Sequence, residues 1–516
     1  MSAMRKLSMA RARVHLAWRS VQLYPVRDAS SATTARRYPV AADSFADEPA
    51  MSPETHRPVV LEDGLPPAQR RYAFAAILAA LVLVVLDGAI ANVALPTFAT
   101  DLRVSPAASV WIVMGYQLAL VVALLPCAAL GDSFGHRRVF TAGAVVFTAA
   151  SALCAASPSL PWLVAARFLQ GLGGAGLMAL GVALLRLAFP ARLLGAVIGW
   201  NAMTIGLASA AGPSLGAAIL SVASWPWLFA VNLPVGIVVL LASRALPDAP
   251  GTGSRVDFVS VALNAGTFAP LVLGVDFGLA RPWLGVALIV VAGLSLTALI
   301  RREAPRAAPL IPLDLLRGRS FRVSVIASVC CFAGQAAGFV ALPFYLQHGL
   351  GQTPFMAGLA MTPWPLTVAV AGPISGRLSG RVSTAWLCAG GAMCMALGLA
   401  LAAASPLRGG LAELTLFTVL CGLGFGFFQT PNNRNMLLSS PRERSGAAGG
   451  MQGTARLVGQ TVGSVIMALL FGVASVDAAP RLGLGLAAVL ALVAGAVSVM
   501  RVGGAPASAQ AAPTAR

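Results

Sequence analysis

The sequence predicts an all-α polytopic membrane protein: two six-helix bundles plus two inserted helices, fourteen transmembrane helices in all. Three observations lead there. First, 58% of the residues are hydrophobic and only 10% charged, and the mean hydropathy is +0.80, whereas soluble domains carry about 25% charged residues. Second, apolar runs of about 18 to 28 residues recur along almost the whole chain, each long enough to cross a hydrocarbon core of ~30 Å as a helix. Third, a pattern of glycines repeats between the two ends of the chain, as it does in membrane proteins built from related halves.

Residues 1–71 precede the first run. They open with the basic stretch "MRKLSMARARVHLAWRSVQLYP", contain no acid before Asp28, and continue polar and rich in Pro and Ala to Ala68. No apolar core of a signal peptide is present, so the segment reads as a disordered cytoplasmic tail; a start codon misplaced upstream of Met51 and a transit peptide are the other readings. The spans then fall at 72–95, 107–131, 138–156, 161–188, 194–220, 226–244, 257–277, 283–300, 321–347, 356–378, 384–404, 412–437, 446–474 and 481–501. Residues 502–516 form a second tail. With residues 1–71 inside, seventeen loop or span-end arginines lie on the inner side and four (Arg103, Arg281, Arg408, Arg481) on the outer. This positive-inside bias places both termini in the cytoplasm and the chain in the cytoplasmic (inner) membrane.

The same arginines account for the net charge of +18 without nucleic acid as a partner. All seven cysteines lie in the apolar spans at no metal-ligand spacing, where they read as small buried residues and not as a disulfide framework.

The first span contains one residue at odds with its surroundings. "VVLDGAIANVALP", residues 84–96, places Asp87 inside a run that carries no charge from Tyr72 to Leu86. On insertion scales such a charge costs roughly 2.5–3.5 kcal/mol, so an intramembrane acid is read as a functional residue. Arg167 in the fourth span is its counterpart. Asp87 lies eight residues before Leu95 and Arg167 six residues after Pro161, depths of roughly 12 and 9 Å from the same face at 1.5 Å per residue.

Internal repetition sets the domain organisation. "QGLGGAG" at 170–176 and "CGLGFGF" at 421–427 are offset by 251 residues, and the same offset maps Gly195, Gly199 and Gly212 to Gly446, Gly450 and Gly463. "ALP" at 94–96 recurs at 341–343, an offset of 247. An offset of this length spans eight helix-and-loop units of about 31 residues, against about 42 if only six intervened. Residues 72–244 are therefore read as the first bundle, 257–300 as the two inserted helices, and 321–501 as the second bundle. The inserted pair carries only Asp257 and Asp276 near its ends and reads as peripheral.

Other motifs have physical readings of their own. In "GDSFGHRRVF", Asp132 ends the second span, Gly135 permits a tight turn, and Arg137 and Arg138 anchor the next helix at the headgroups. "AAGPSLGA", 210–217, introduces Gly212 and Pro213, which break and bend the fifth span. Small residues there, Gly206 and Gly216 among them, admit a close partner helix. "NLP" at 232–234 is a kink or a ligand contact, and the residues do not decide which. The polar, aromatic stretch "FFQTPNNRNM" contributes Gln429, Asn432 and Asn433 to a candidate central cavity, with Tyr116, Gln117, Asn201, Met203, Gln335, Phe339, Tyr345 and Trp364; packing is the alternative for each.

Taken in order, "LDGAIANVALP", "WIVMGYQLALVVALLPCAALGDSFGHRRVF", "RFLQGLGGAG", "AAGPSLGA" and "WLFAVNLPVG" resemble the successive signatures of the fourteen-helix drug:proton antiporter branch of the major facilitator superfamily. The resemblance covers residues 72–501. It implies the major facilitator fold, in which the first and fourth helices are neighbours, so Asp87 and Arg167 would meet. It implies that Asp132 packs near Ser445 and Gly446 and, with Gly135, Arg137 and Arg138, latches the halves together. It also associates the bend at Gly212 and Pro213 with exporters. The sequence departs from the family pattern at Ala128, where glycine is usual, at Ser133 and His136, where basic residues are, and at Ala208 and Ala217, where glycine is commoner.

The function this implies is proton-coupled export of small amphipathic compounds by alternating access. The partners are then the substrate, protons and the lipid bilayer, the chain is a monomer, and the proton gradient takes the place of any cofactor. Burial favours a neutral carboxylate and a neighbouring guanidinium a charged one, which suits a site that must exchange a proton. Export of one endogenous metabolite or antibiotic is the alternative. A membrane-embedded enzyme would need clustered His, Asp, Glu or Cys, but the four histidines, at 15, 56, 136 and 348, are scattered. No catalytic residue or metal ligand is expected, and no Walker-type loop points to a primary pump. In the second half, Arg167 maps to Thr418 under the 251 offset, and Arg456 stands deep in a span without an acid at comparable depth.

Overall fold

A computed structural model describes residues 64–248, 251, 253, 256–305, 313–405, 411–441 and 444–501. The expected tails, up to residue 63 and from 502 onward, lie outside the described residues. The spans are α1 (Pro67–Val93), α2 (Pro106–Phe134), α3 (His136–Ala155), α4 (Leu160–Ala188), α5 (Ala191–Val222), α6 (Trp227–Ala245) and α7 (Phe258–Ala280). They continue with α8 (Pro282–Glu303), α9 (Arg319–Gly349), α10 (Pro354–Leu378), α11 (Thr384–Ala404), α12 (Leu411–Leu438), α13 (Ser445–Val473) and α14 (Ala478–Val499). Among the described residues, fourteen helices are thus long and apolar enough to cross a membrane.

Local chemistry fixes several starts. Ser105 accepts a hydrogen bond from the Ala108 amide at 3.2 Å and Thr353 one from Met356 at 3.3 Å, satisfying amides that no helical carbonyl reaches. Proline occupies the first turn of α1, α2, α4 and α8, where its missing N–H costs nothing. Gly135, between α2 and α3, has φ 100°, a conformation that a side chain would strain.

Three spans differ from the sequence reading. The fifth is not broken at Pro213: α5 is one continuous helix from Ala191 to Val222. The sixth is interrupted instead, as a short helix Trp227–Ala230, then Asn232–Ala242, then a 3₁₀ turn at Ser243–Ala245. α10 divides at Thr362, ahead of Pro363, consistent with proline disfavouring the helical conformation of the residue before it.

Packing shows the internal repeat in three dimensions. A Cβ on Gly171 of α4 would meet the Tyr116 carbonyl of α2, and one on Gly422 of α12 would meet the Trp364 carbonyl of α10. Gly173 lies against the Gly143 carbonyl of α3 (2.7 Å from an ideal Cβ) and Gly424 against that of Gly391 in α11 (2.5 Å). Gly212 of α5 lies on Ala89 of α1, and Gly463 of α13 on Ala336 of α9. Helices α1–α6 therefore pack as α9–α14 do, through glycines that let backbones touch.

The halves meet along α2 with α13 and α5 with α10. α8 packs on α7, while α7 touches both α2 and α13, so the inserted pair joins the bundles through α7, and these two are the least buried of the described spans. Asn264 donates to the Val122 carbonyl at 2.9 Å, and Asp276 accepts from Trp111 Nε1 at 3.1 Å, both partners on α2. On the membrane face that carries the α1–α2 connection the halves are tied further. Gln347 Nε2 donates to the Val93 carbonyl at 3.2 Å, Ser214 Oγ lies 2.5 Å from Thr362 Oγ1, and Gly358 backs onto Pro213 and Ala217.

Candidate functional site

Asp87 sits six residues before the end of α1 and Arg167 seven residues after the start of α4, and the fold brings them together. Arg167 Nη1 donates to Asp87 Oδ2, and the two residues are 0% and 1% exposed as an ion pair. The guanidinium is held from several sides. Nε donates to the Ile112 carbonyl of α2 at 3.1 Å, and Nη1 also donates to Gln170 Oε1 at 2.6 Å. The Tyr116 ring lies 4.2 Å and the Phe229 ring 5.5 Å from Arg167 Cζ, within range of a cation–π interaction. Nη2 has no hydrogen-bond partner among the described residues.

The carboxylate is equally surrounded. Asp87 Oδ1 accepts from Gln170 Nε2 at 3.0 Å and from Asn232 Nδ2 at 2.7 Å. Gln170 also donates to Ser151 Oγ of α3 at 2.8 Å, and Tyr116 donates to the Val84 carbonyl at 3.1 Å. Five helices of the first half, α1, α2, α3, α4 and α6, thus converge on one buried charge. Such satisfaction is required, since an unpaired charge in this setting costs several kcal/mol. The interruption of α6 beside Asn232 gives "NLP" a place: its asparagine reaches the carboxylate.

Sequence reasoning missed Gln170, Asn232 and Ser151. Gln170 was within reach, because three residues after Arg167 places it on the same face of α4. Among the described residues, the second half has no comparable buried ion pair. The offsets that relate the halves map Asp87 to Gly334, Arg167 to Thr418 and Gln170 to Cys421, and Gly334 is packed against the Ala487 carbonyl.

The expected latch residues have these partners. Asp132 Oδ1 lies 3.2 Å from Nε2 of His136, one of the family-pattern departures, and Arg137 lies 3.6 Å from Asp248 beyond α6. The Gly253 amide donates to the Ser133 carbonyl at 3.2 Å, joining this turn to the approach to α7. The side chains of Ser445 and Gly446, the expected partners of Asp132, are outside the described set. Arg138 stands beside this cluster at the start of α3. Gly206 approaches Ala369 of α10, and Gly216 approaches Ile90 of α1.

The expected cavity residues divide. Tyr116 is a wall of the ion pair, not an open surface, and Gln117 accepts from Ser464 Oγ at 3.0 Å where α2 meets α13. Asn432 is enclosed within the second half, donating to Ser328 Oγ at 2.7 Å and accepting from Arg501 at 2.8 Å. Trp364 is enclosed against Phe339, ring centroids 4.9 Å apart, and Tyr345 donates to the Ser405 carbonyl at 3.0 Å. These three do not line an open cavity. Asn201, Gln335, Phe339, Gln429 and Asn433 are half-buried and Met203 is exposed.

The chain matches the family model of the Major Facilitator Superfamily over residues 77–464 and again over 324–515. It belongs to that superfamily. This facilitator is 45% identical over 459 residues to the uncharacterized transporter YebQ of Escherichia coli (strain K12), covering 86% of this chain and 98% of the relative. It is 32% identical over 390 residues to the riboflavin transporter RibZ of Clostridioides difficile (strain 630), covering 75% and 85%. It is 31% identical over 413 residues to the tetracenomycin C resistance and export protein of Streptomyces glaucescens, covering 77% and 74%. Its fold matches a bacterial homologue of the human lysosomal transporter Spinster, crystallised inward-facing and unoccupied, with a TM-score of 0.61 at 14% identity over 85% of this chain and 97% of that one. The chain is therefore a multi-pass membrane transporter of this superfamily, like these relatives.

Proposed function

We propose that this facilitator exports small amphipathic compounds across the cytoplasmic membrane in exchange for protons, with Asp87 as the proton-carrying group. The single observation that carries the reading is the Asp87–Arg167 pair: one carboxylate, sealed from water, whose charge is balanced by one guanidinium that stays ionised. Protonation at Asp87 cancels the attraction that holds α1 to α4 and changes the hydrogen-bond demands on Gln170 and Asn232. A proton gained or lost there thus favours one arrangement of the first half over another. A relative named for resistance and export supports the direction of transport.

With the arginine-rich loops inside, the α1–α2 face is the outer one. The bonds of Gln347, Ser214 and Thr362 then close the outer side between the halves. Rocking the halves apart there, about the α2–α13 and α5–α10 contacts, gives alternating access. The Asp132–His136 turn latches the inner side. No cofactor is called for, because the proton gradient drives the cycle, and one chain suffices. Inverted membrane vesicles with an acidified lumen test this: amphipathic dyes are expected to accumulate inside and to leak away when a protonophore collapses the gradient. Accumulation indifferent to the gradient would overturn it.

A further inference from the structure

Among the described residues, Arg456 is the one guanidinium deep in a span of the second half, and the ion-pair site does not use it. It lies nine residues into α13 from Ala447, about 14 Å along the helix. It makes no hydrogen bond or ion pair among the described residues, and its Nε is buried without a partner. Yet the residue as a whole is only half-buried, so its tip is not sealed in. Its position on the helix is fixed by its neighbours. Gly453 backs onto Leu124 of α2, and Gly459 onto Val329 and Phe332 of α9. At about 100° per residue, Arg456 emerges midway between these two faces, at the seam between the first and second halves. Across that seam α2 also carries Tyr116, the ring that covers Arg167. Asp87 is already committed to Arg167, Gln170 and Asn232.

We propose that Arg456 is the recognition site for a carboxylate on the transported molecule. The facilitator then carries amphipathic organic anions or zwitterions and discriminates against lipophilic cations. An arginine at this depth needs a counter-ion, and its planar fork matches a carboxylate in two-point contact. Among the described residues, the spans supply no free acid at its level that a cationic drug would require. Half-buried Gln335 and Gln429, which have no hydrogen-bond partners among the described residues, lie on α9 and α12, both of which pack against α13. A lipid headgroup is an unsuitable occupant, since the site is about three turns from the helix end.

This inference rests on the transport reading above but not on its proton coupling, and equilibrium binding separates the two. Purified protein in nanodiscs is titrated with dansylglycine, with its neutral analogue dansylglycinamide, and with ethidium as the cationic control, in chloride-free and chloride buffers. Wild type is expected to bind dansylglycine at least ~10-fold more tightly than the amide, which corresponds to about 1.4 kcal/mol. Arg456→Gln should lose that preference while its affinity for the amide is unchanged, and Arg456→Lys should recover part of it. Equal affinities for anion and amide, no saturable binding of dansylglycine, tighter binding of ethidium, or a preference that survives in Arg456→Gln would each overturn it. So would an effect that chloride alone reproduces. If Arg456-dependent binding holds while vesicles show no response to a proton gradient, the coupling reading fails and this one stands.

Discussion

Asp87 was legible in the sequence because a lone acid in an apolar run has no structural excuse, and Arg167 because helix rise puts the two at matching depth. Their supporting polar residues were not. Gln170, Ser151 and Asn232 lie on three helices, 19 to 81 residues apart in sequence, and only the packing of α3, α4 and α6 around α1 joins them. Asn432 misled in the opposite sense. It sits in a polar cluster, yet its partners Ser328 and Arg501 are more than a hundred and nearly seventy residues away. Asn232→Ala removes one donor from a buried carboxylate, and a hydrogen bond to a charged group is worth about 1.5–3 kcal/mol. A lower thermal unfolding midpoint in detergent is expected, with normal insertion; an unchanged midpoint would show that another donor takes its place. Arg167→Ala is harsher, because it strands Asp87 without a counter-charge at a cost of ~3–5 kcal/mol. Its expression level and midpoint should fall below those of Asn232→Ala.

At the scale of helices, hydropathy located every span to within a few residues, because length and composition alone meet the demand of the hydrocarbon core. What hydropathy could not supply was continuity. Pro213 reads as a break, but α5 runs through it, while α6 is interrupted beside Asn232 and α10 at Thr362. Neighbouring helices settle where a freed carbonyl is tolerated, and no single segment encodes that. The glycines that matter were visible as a repeat at one offset, and their meaning is steric. A methyl on Gly173 would stand 2.5 Å from the Phe147 amide nitrogen, so α3 and α4 must separate. Gly173→Ala is expected to destabilise by about 1–3 kcal/mol, and Gly424→Ala, its repeat-related partner, by a similar amount. Gly485→Ala on α14, where nothing lies within 4 Å, should be neutral or slightly stabilising. A thermal-shift comparison of the three in detergent checks this, and equal behaviour would refute the packing argument.

At the scale of the whole molecule, the repeat offset and loop lengths gave two bundles and an inserted pair. The contact of α7 with both α2 and α13 left no trace in the sequence beyond Asp276, because a helix docked through one tryptophan and one carbonyl carries no periodic signal. Closure between the halves at the α1–α2 face predicts a reversible lock. With the native cysteines replaced, Ser214→Cys/Thr362→Cys should cross-link under mild oxidation, stop transport, and recover on reduction; full turnover in the cross-linked state would mean that this face need not open. In the proposed cycle the proton rides on Asp87, and substrate accumulation in proteoliposomes against an imposed pH gradient tests this. Wild type should transport uphill with a rate that follows the gradient, whereas Asp87→Asn, inserted and still able to bind substrate, should equilibrate it without accumulation at any pH. Uphill transport by Asp87→Asn with the wild-type pH profile would contradict the claim.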